Sequence, residues 1–511
     1  MIPKPEPRPP EAPLGFRVPT AFSMHLPTLL HLTGGVLLAI AGLLLIPFGC
    51  TFLYGESDWY ALLLTIGLST ALGIVLWFGF RKYQRLDELK AKEGFVLVAF
   101  CWIVTTVIST LPFVWHGSIP SFTEAFFEVM SGYTTTGATV LTDIEALPHG
   151  LLLWRTLTHF VGGMGVVVLY LTLFAGIGSS GLRLFQAEAA PGQSVGGRRL
   201  VPRVRETIRW LWRIYVGLHV IQIILLCAGG MPLFDAFIHA TSTVATSGFS
   251  NRNGSLGAYG SAYFEWVCIV FMLLGGLDFT LQHKCLVGRW KTVWQSTELK
   301  AYFGIVLVLG LGTSLVLWTQ NTHGSLLDAL RYGFFQVVSL LTTTGLITDD
   351  YSQWPEAAQA LLFVCLFIGA CAGSTTSGLR IIHFVLIWRH IQLALRHAIQ
   401  PRSVHPVRIN GETIEPSILG AALGYFALNI IYVLGGGVLM TLLSEMDWWS
   451  AFNSVMACLW NIGPSFGMVG PTANFGHISD AGTWFLSFTM LAGRLDIYAL
   501  LVLFHPAFWH R

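Results

Sequence analysis

Four short polar runs, each ending in glycine, recur in a chain that is otherwise mostly apolar. They are Thr134-Thr135-Thr136-Gly137, Ala245-Thr246-Ser247-Gly248, Thr342-Thr343-Thr344-Gly345 and Trp460-Asn461-Ile462-Gly463. Their flanks repeat in fixed register. Twelve residues before each glycine stands a small residue followed by phenylalanine: Ala125-Phe126, Ala236-Phe237, Gly333-Phe334 and Ala451-Phe452. Two residues before each glycine is a polar side chain: Thr135, Thr246, Thr343 or Asn461. One run would carry little information, but four with matching flanks make an internal repeat. The units lie about 110 residues apart. That is too long for a solenoid repeat and suits four units set in a ring around one axis.

Composition says where such a ring would sit. Of 511 residues, 54% are hydrophobic and 11% charged, against roughly 25% charge in a soluble domain. Apolar runs of about 20 residues recur, long enough to cross a bilayer as helices. The 54 glycines suit close helix packing there. The eight cysteines show no paired metal spacing and mostly fall inside apolar runs. They read as small packing residues rather than a disulfide framework. The first 20 residues carry Pro3, Pro5, Pro7, Pro9, Pro10, Pro13 and Pro19. They read as a disordered tail with no cleavable signal peptide. A net charge of +2 says little about partners, and no nucleic acid is expected.

The organisation follows from the pattern. A tail (1–26) precedes an apolar hairpin (27–92) that lacks the polar run. Repeat 1 (93–180), repeat 2 (181–286), repeat 3 (287–400) and repeat 4 (401–511) each read as a span, a half-span too short to cross, a polar run and a second span. A glycine lies in each second span: Gly163, Gly276, Gly373 and Gly493. The fold expected is all-α and integral to the membrane, with four membrane–pore-loop–membrane repeats around a central pore plus the N-terminal two-helix hairpin. That makes ten transmembrane helices, and an even count puts both termini on one side.

Loop charges set the side. Loop 180–209 holds Arg183, Arg198, Arg199, Arg203, Arg205 and Arg209, loop 284–300 holds Lys284, Arg289, Lys291 and Lys300, and loop 389–408 holds Arg389, Arg396, Arg402 and Arg408. The opposite loops are acidic, with Glu56, Asp58, Asp143, Glu145, Asp349 and Asp350. The positive-inside rule makes both termini cytoplasmic. The half-spans and polar runs then enter from outside.

Irregular backbone at membrane depth survives only where it lines water or is buried in protein. Four such segments meeting on an axis would offer rings of carbonyl oxygens, which can replace the hydration shell of a monovalent cation. Glycine permits the positive φ that turns carbonyls inward, and Thr hydroxyls would add uncharged oxygens. Each half-span has an acid near its start: Glu124, Asp235, Asp328 and Asp447. A carboxylate there complements the positive helix N-terminus, whether or not it also serves transport. No Gly-x-x-x-x-Gly-Lys-Ser/Thr motif occurs, and the loops are too short for a catalytic domain. The chain does not read as an enzyme.

Taken together, the four runs resemble the selectivity filters of the Trk/Ktr/HKT potassium-transport superfamily, and flanking motifs resemble its bacterial Trk-type membrane subunits. These motifs are Trp154-Arg155-Thr156-Leu157-Thr158, Gly162-Gly163-Met164-Gly165, Gln186-Ala187-Glu188, Gly369-Ala370-Cys371-Ala372-Gly373-Ser374-Thr375, Asn461-Ile462-Gly463-Pro464 and Gly493-Arg494-Leu495-Asp496. The resemblance implies potassium uptake across a bacterial inner membrane by a homodimer with one pore per protomer. It further implies regulation by a cytoplasmic RCK-type nucleotide-binding subunit. On this resemblance K+ would be the transported ion and membrane lipid a further partner, and no organic cofactor is expected in this chain. The ion would meet Thr135, Thr136, Gly137, Thr246, Ser247, Gly248, Thr343, Thr344, Gly345, Asn461, Ile462 and Gly463. By the same resemblance, Gly373, Ser374, Thr375, Thr376, Ser377 and Gly378 form an intramembrane gating loop, and Arg494 faces the pore and contacts it. On the residues alone, that run is either a helix break or a small-residue crossing site. Asp278, Arg494, Asp496 and the histidines His159, His239 and His283 keep a second reading open, a K+/H+ or K+/Na+ symporter.

Overall fold

The computed structural model describes residues 26–83, 91–165, 204–401, 407–410, 412–414 and 416–506. The N-terminal tail, the Gln186-Ala187-Glu188 motif and most of the basic loop 180–209 lie outside the described residues, as does the distal half of the span expected over 151–178.

The described chain is helical apart from one two-stranded hairpin, β1 (Arg408–Ile409) and β2 (Glu412–Thr413). Helices α1 (Leu26–Tyr54) and α2 (Trp59–Gly79) pack closely through small residues. A methyl group on Gly34 would fall 2.6 Å from the Trp77 nitrogen, and one on Gly73 would fall 2.8 Å from Leu38. The Ser69 hydroxyl donates to the Leu37 carbonyl at 2.9 Å. Close backbone approach with a hydroxyl bridge suits helices that cannot use the hydrophobic effect against each other in lipid. The outward faces keep Leu53, Leu64 and Val75 exposed, as lipid-facing positions should.

From α3 (Ala91–His116) onward a pattern recurs. A long helix leads to a short one, a glycine-ended turn and a second helix. The long helices after α3 are α6 (Val204–Ala228), α11 (Thr297–Thr319) and α15 (Pro416–Leu443). The short ones are α4 (Phe122–Tyr133), α7 (Leu233–Val244), α12 (Leu326–Leu341) and α16 (Trp448–Leu459). Three have 12 residues, about 18 Å of helix, against a hydrocarbon layer of roughly 30 Å. Their starts are fixed by local chemistry. Ser121, Ser325 and Asp447 accept the backbone N–H three residues on, and Glu124, Asp235 and Asp328 sit in first turns.

The second helices are shorter than the continuous spans expected. They are α5 (His149–Gly163), α8 (Ala262–Gly275), α13 (Glu356–Phe367) and α17 (Asp480–Arg494). After α8 the chain bends by 100° into α9 (Phe279–Leu286), and then runs through α10 (Trp290–Trp294). After α13 comes an irregular stretch, 368–380, before α14 (Ile381–Ile399). After α17, Asp496 takes φ 62° and α18 (Ile497–Phe504) begins. Among the described residues, six helices are long and apolar enough to cross a membrane, or seven if α8 and α9 count as one span. All eight cysteines are unpaired. One apolar core joins the hairpin to all four units.

The Asp447 cap is open to measurement. Its carboxylate is held below the usual range by the Ser450 hydroxyl and N–H. A depressed folded value gives stability that is fully present above the unfolded pKa, about 3.9, and is lost below it as pH falls through the lower folded value. Asp447→Ala is expected to cost about 1 kcal/mol, read as a lower thermal midpoint in detergent at pH 7. The gap to the unsubstituted protein should persist down to about pH 4 and close only below it.

Candidate functional site

Each short helix ends in the same way. The residue two before the glycine has positive φ without being glycine: Thr135 (54°), Thr246 (51°), Thr343 (53°) and Asn461 (52°). The next N–H then reaches back five residues: Thr136 to Ser131 (2.9 Å), Ser247 to Ser242 (2.9 Å), Thr344 to Ser339 (2.8 Å) and Ile462 to Ala457 (2.9 Å). This is the Schellman helix end, whose left-handed position glycine normally fills. A β-branched residue there is strained, by roughly 1–3 kcal/mol, and persists only when its surroundings hold it.

The glycine itself is left-handed two residues later: Gly137 (79°), Gly248 (87°), Gly345 (72°) and Gly463 (88°). The residue between lacks positive φ, so handedness alternates along the turn.

The four turns meet in a closed circuit. A methyl group on Gly137 would collide with the Ser247 carbonyl oxygen, one on Gly248 with that of Thr344, and one on Gly345 with that of Ile462. The circuit closes where a methyl on Gly463 would fall 2.6 Å from the Thr136 oxygen. Each unit therefore presses its glycine on the carbonyl before the next unit's glycine. Gly345, Gly463 and the two residues before each of the four glycines are buried in this centre, and Gly137 and Gly248 are half-buried.

The Thr hydroxyls have protein partners. The Thr136 hydroxyl lies 2.8 Å from that of Thr134 and accepts from Asn461 Nδ2 at 2.8 Å. The Thr344 hydroxyl lies 2.7 Å from that of Thr342. Those of Thr135, Thr246 and Thr343 meet the groups described next. The peptide carbonyls are thus the oxygens left to act as ligands. Among the described residues, no group of three or more His, Cys, Asp or Glu could hold a metal ion.

Under the turns runs the irregular stretch 368–380. Its backbone is tied to the bend after α8 by Cys371 N–H to Gly276 (3.0 Å) and by Phe279 N–H to the Gly373 carbonyl (3.1 Å). The Thr246 hydroxyl donates to that of Thr375 at 3.1 Å, and Ser377 N–H donates to the Thr343 hydroxyl at 3.3 Å. Ser374 and Thr376 pair their hydroxyls at 2.7 Å. Gly373 and Gly378 both have positive φ. Of the two readings open from the residues, the helix break is the one observed.

Arg494 joins this stretch to the first turn. Its guanidinium donates to the Thr375 carbonyl (2.9 Å), the Ser377 hydroxyl (3.1 Å) and the Thr135 hydroxyl (3.1 Å). It also donates to the carbonyls of Gly162 (2.6 Å) and Gly163 (3.3 Å) at the end of α5. A single cation thus satisfies carbonyls that a broken helix leaves orphaned.

The glycines of the second helices explain where those helices stop. Methyl groups on Gly162 and Gly493 would strike the carbonyls of Tyr133 and Leu459, the last turns of α4 and α16. Gly163 packs on Ala245, and Gly276 on Ala370 and Thr342. Gly373 differs: it lies within the irregular stretch, against the Asp278 carboxylate. Asp278 caps α9, accepting from Thr280 N–H (2.7 Å) and the Thr280 hydroxyl (2.6 Å). Asp496 accepts from the Tyr425 hydroxyl at 2.9 Å. The His159 ring lies 2.8 Å from the Gly132 carbonyl and accepts from Phe249 N–H at 3.3 Å, a bridge between two units. The His283 ring sits 4.9 Å from that of Trp210.

Two features had no role in the reading of the sequence. Glu128 and Arg155 form a buried ion pair behind the first two turns. Glu298, in the first turn of α11, accepts the Ala372 N–H at 2.7 Å and so anchors the irregular stretch. A charge at mid-depth in an apolar helix was the available signal for the pair.

The profile of the family TrkH, described as cation transport protein, matches residues 61–320 and 315–511. The Trk system potassium uptake protein TrkH of Salmonella typhimurium is 36% identical over 95% of this chain and 100% of its own length. The corresponding protein of Escherichia coli K12 is 35% identical over the same shares. The crystal structure of the potassium transporter TrkH from Vibrio parahaemolyticus superposes with a TM-score of 0.85 at 32% identity, covering 95% of this chain and all of that one.

The glycine packing yields a direct test. Gly493→Ala places a methyl against backbone that cannot move aside, which typically costs 1–3 kcal/mol or more, so roughly that loss is expected. Gly217→Ala, in open space on α6, should be neutral to slightly stabilising. Fluorescence-detected gel filtration after heating compares the two.

Proposed function

The chain belongs to the TrkH family of cation transport proteins, and from that membership we propose that it takes up potassium through a pore formed by its four glycine-ended turns. Its relatives are transport proteins, not enzymes, and the chain is a multi-pass membrane protein. The observation that carries the proposal is the closed circuit in which each glycine meets the next unit's carbonyl. Neutral oxygens in rings suit a dehydrated monovalent cation, which must bind well enough to enter and weakly enough to leave. In this reading the twelve residues from Thr135 to Gly463 named above are the filter. The architecture is four membrane–pore–membrane repeats plus the hairpin, ten spans in all. The protein lies in the inner membrane with both termini cytoplasmic.

Gating falls to residues 373–378 and Arg494. What supports this is that the stretch bonds to Thr246 and Thr343 directly and to Thr135 through Arg494. Three of the four strained turn residues thereby lean on one irregular stretch. A homodimer regulated by a cytoplasmic RCK-type subunit completes the reading. The regulatory part of this reading is supported by a chain of bonds leading from the β hairpin inward. Asn410 accepts the Thr297 N–H at 2.8 Å, which starts α11, and Glu298 on that helix holds Ala372.

Asp278, His159 and His283 make the structural contacts described above. No observation favours the symport reading over the pore.

Two measurements test the proposal in proteoliposomes at clamped potential. Gly345→Ser adds a side chain facing the Ile462 carbonyl and is expected to lower the K+ over Na+ preference. Unchanged preference would count against the filter assignment. Arg494→Ala removes the clasp on the gating stretch and should raise K+ flux without a regulatory subunit. A flux equal to the unsubstituted protein's would remove Arg494 from the gate.

A further inference from the structure

Behind the first two turns lies a brace that the proposed pore chemistry does not use. The Glu128 side chain, on α4 nine residues before Gly137, is 1% exposed, and Arg155 on α5 is 3% exposed. Arg155 Nε donates to Glu128 Oε1 at 2.7 Å. Glu128 also accepts from the Thr139 hydroxyl (2.9 and 3.0 Å) and from Val140 N–H (2.9 Å). These are the second and third residues after Gly137. Arg155 Nη1 donates to the Ser250 carbonyl at 2.9 Å, two residues after Gly248. Its guanidinium lies 3.4 Å from the centroid of the Phe249 ring. One ion pair therefore holds the exits of two adjacent turns at a fixed separation.

The position is not equivalent in the other units. Nine residues before each later glycine stand His239, Gln336 and Ser454. His239 has no hydrogen-bond partner for either ring nitrogen among the described residues. Gln336 donates to the Thr348 hydroxyl at 3.3 Å. In the fourth unit the Ser454 hydroxyl donates to the Ala451 carbonyl at 2.8 Å. These contacts are uncharged or missing, and each stays within its own unit. The pair between Glu128 and Arg155 is charged and links two units.

We infer that Glu128 and Arg155 are positioning residues for ion selectivity: the pair fixes the exits of the first two turns relative to each other, so that the carbonyl ring between them cannot contract onto a smaller cation. This rests on the filter reading above. The physical reason for using a charge pair is stiffness. In a water-excluded site a fully bonded pair is held far more tightly than a neutral contact, and Arg presents a planar fork that can grip a carboxylate and a carbonyl together. A buried pair adds little net stability over an apolar replacement, so what this one supplies is fixed geometry.

Reversal potential under opposed K+ and Na+ gradients tests this, since it does not depend on how much protein is active. Four variants are reconstituted with the unsubstituted protein: Glu128→Gln, Arg155→Lys, Thr139→Val, and the double variant Glu128→Gln with Arg155→Gln. The double variant leaves no lone buried charge and guards against misfolding of the singles. Expected is a severalfold fall in the K+ to Na+ permeability ratio for every folded variant that breaks the pair, and a smaller fall for Thr139→Val. A ratio unchanged in all folded variants would overturn the inference while leaving the filter reading intact. An unsubstituted protein with no K+ preference would overturn the filter reading itself.

Discussion

The interior depends on four polypeptide segments passing closer to one another than any side chain allows. At Gly137, Gly248 and Gly345 the neighbouring unit's carbonyl oxygen occupies the space a Cβ would need, and at Gly463 the approach is nearly as tight. The requirement is steric before it is chemical. Glycine is the residue whose absence of Cβ meets it, and its tolerance of positive φ lets the chain leave the helix end at the needed angle. Once the four contacts close on themselves, each unit's place is fixed by its two neighbours. The circuit stands only if all four are present.

A second consequence is stored strain. Three threonines occupy left-handed helix ends that glycine would fill without cost. Asn461, the fourth, is the type that tolerates this conformation best among those with side chains. Each of the four side chains is bonded to something outside its own turn: Arg494, Thr375, the Ser377 N–H, or Thr136. Strain and restraint therefore sit on the same residues. That arrangement makes the turns responsive to the stretch below them, which three of the four touch directly or through Arg494.

Interruption of the second helices belongs to the same geometry. Gly162 and Gly493 press against the last turns of the short helices, and Gly275 approaches the Val244 carbonyl at the end of α7. Helix ends cannot be crowded this way without leaving carbonyls unbonded. Arg494 answers part of that need at the end of α5. In the third unit a longer irregular stretch takes its place, held by Glu298 and by bonds to the bend after α8.

Much of this was legible in the residues. Spacing alone marked the four units, their short helices with an acid near each start, and the glycines at their ends, because these are local demands that a linear pattern records. The break at 373–378 was legible as one of two readings, since a run of small and hydroxyl residues suits a crossing site as well as an interruption. The second helices were read as continuous spans, because apolar content cannot tell an unbroken helix from one that stops where a neighbour's backbone arrives. The left-handed state of Thr135, Thr246 and Thr343 went against residue preference, and the partners that hold it lie more than thirty residues away in sequence. Glu128 meeting Arg155, Glu298 meeting Ala372, and the order in which one unit's glycine meets the next unit's carbonyl were decided only by the tertiary structure. Sequence determines what each segment can do by itself, through periodicity, capping and the freedom of glycine. Which distant segment supplies its partner is set by packing, which no spacing along the chain encodes.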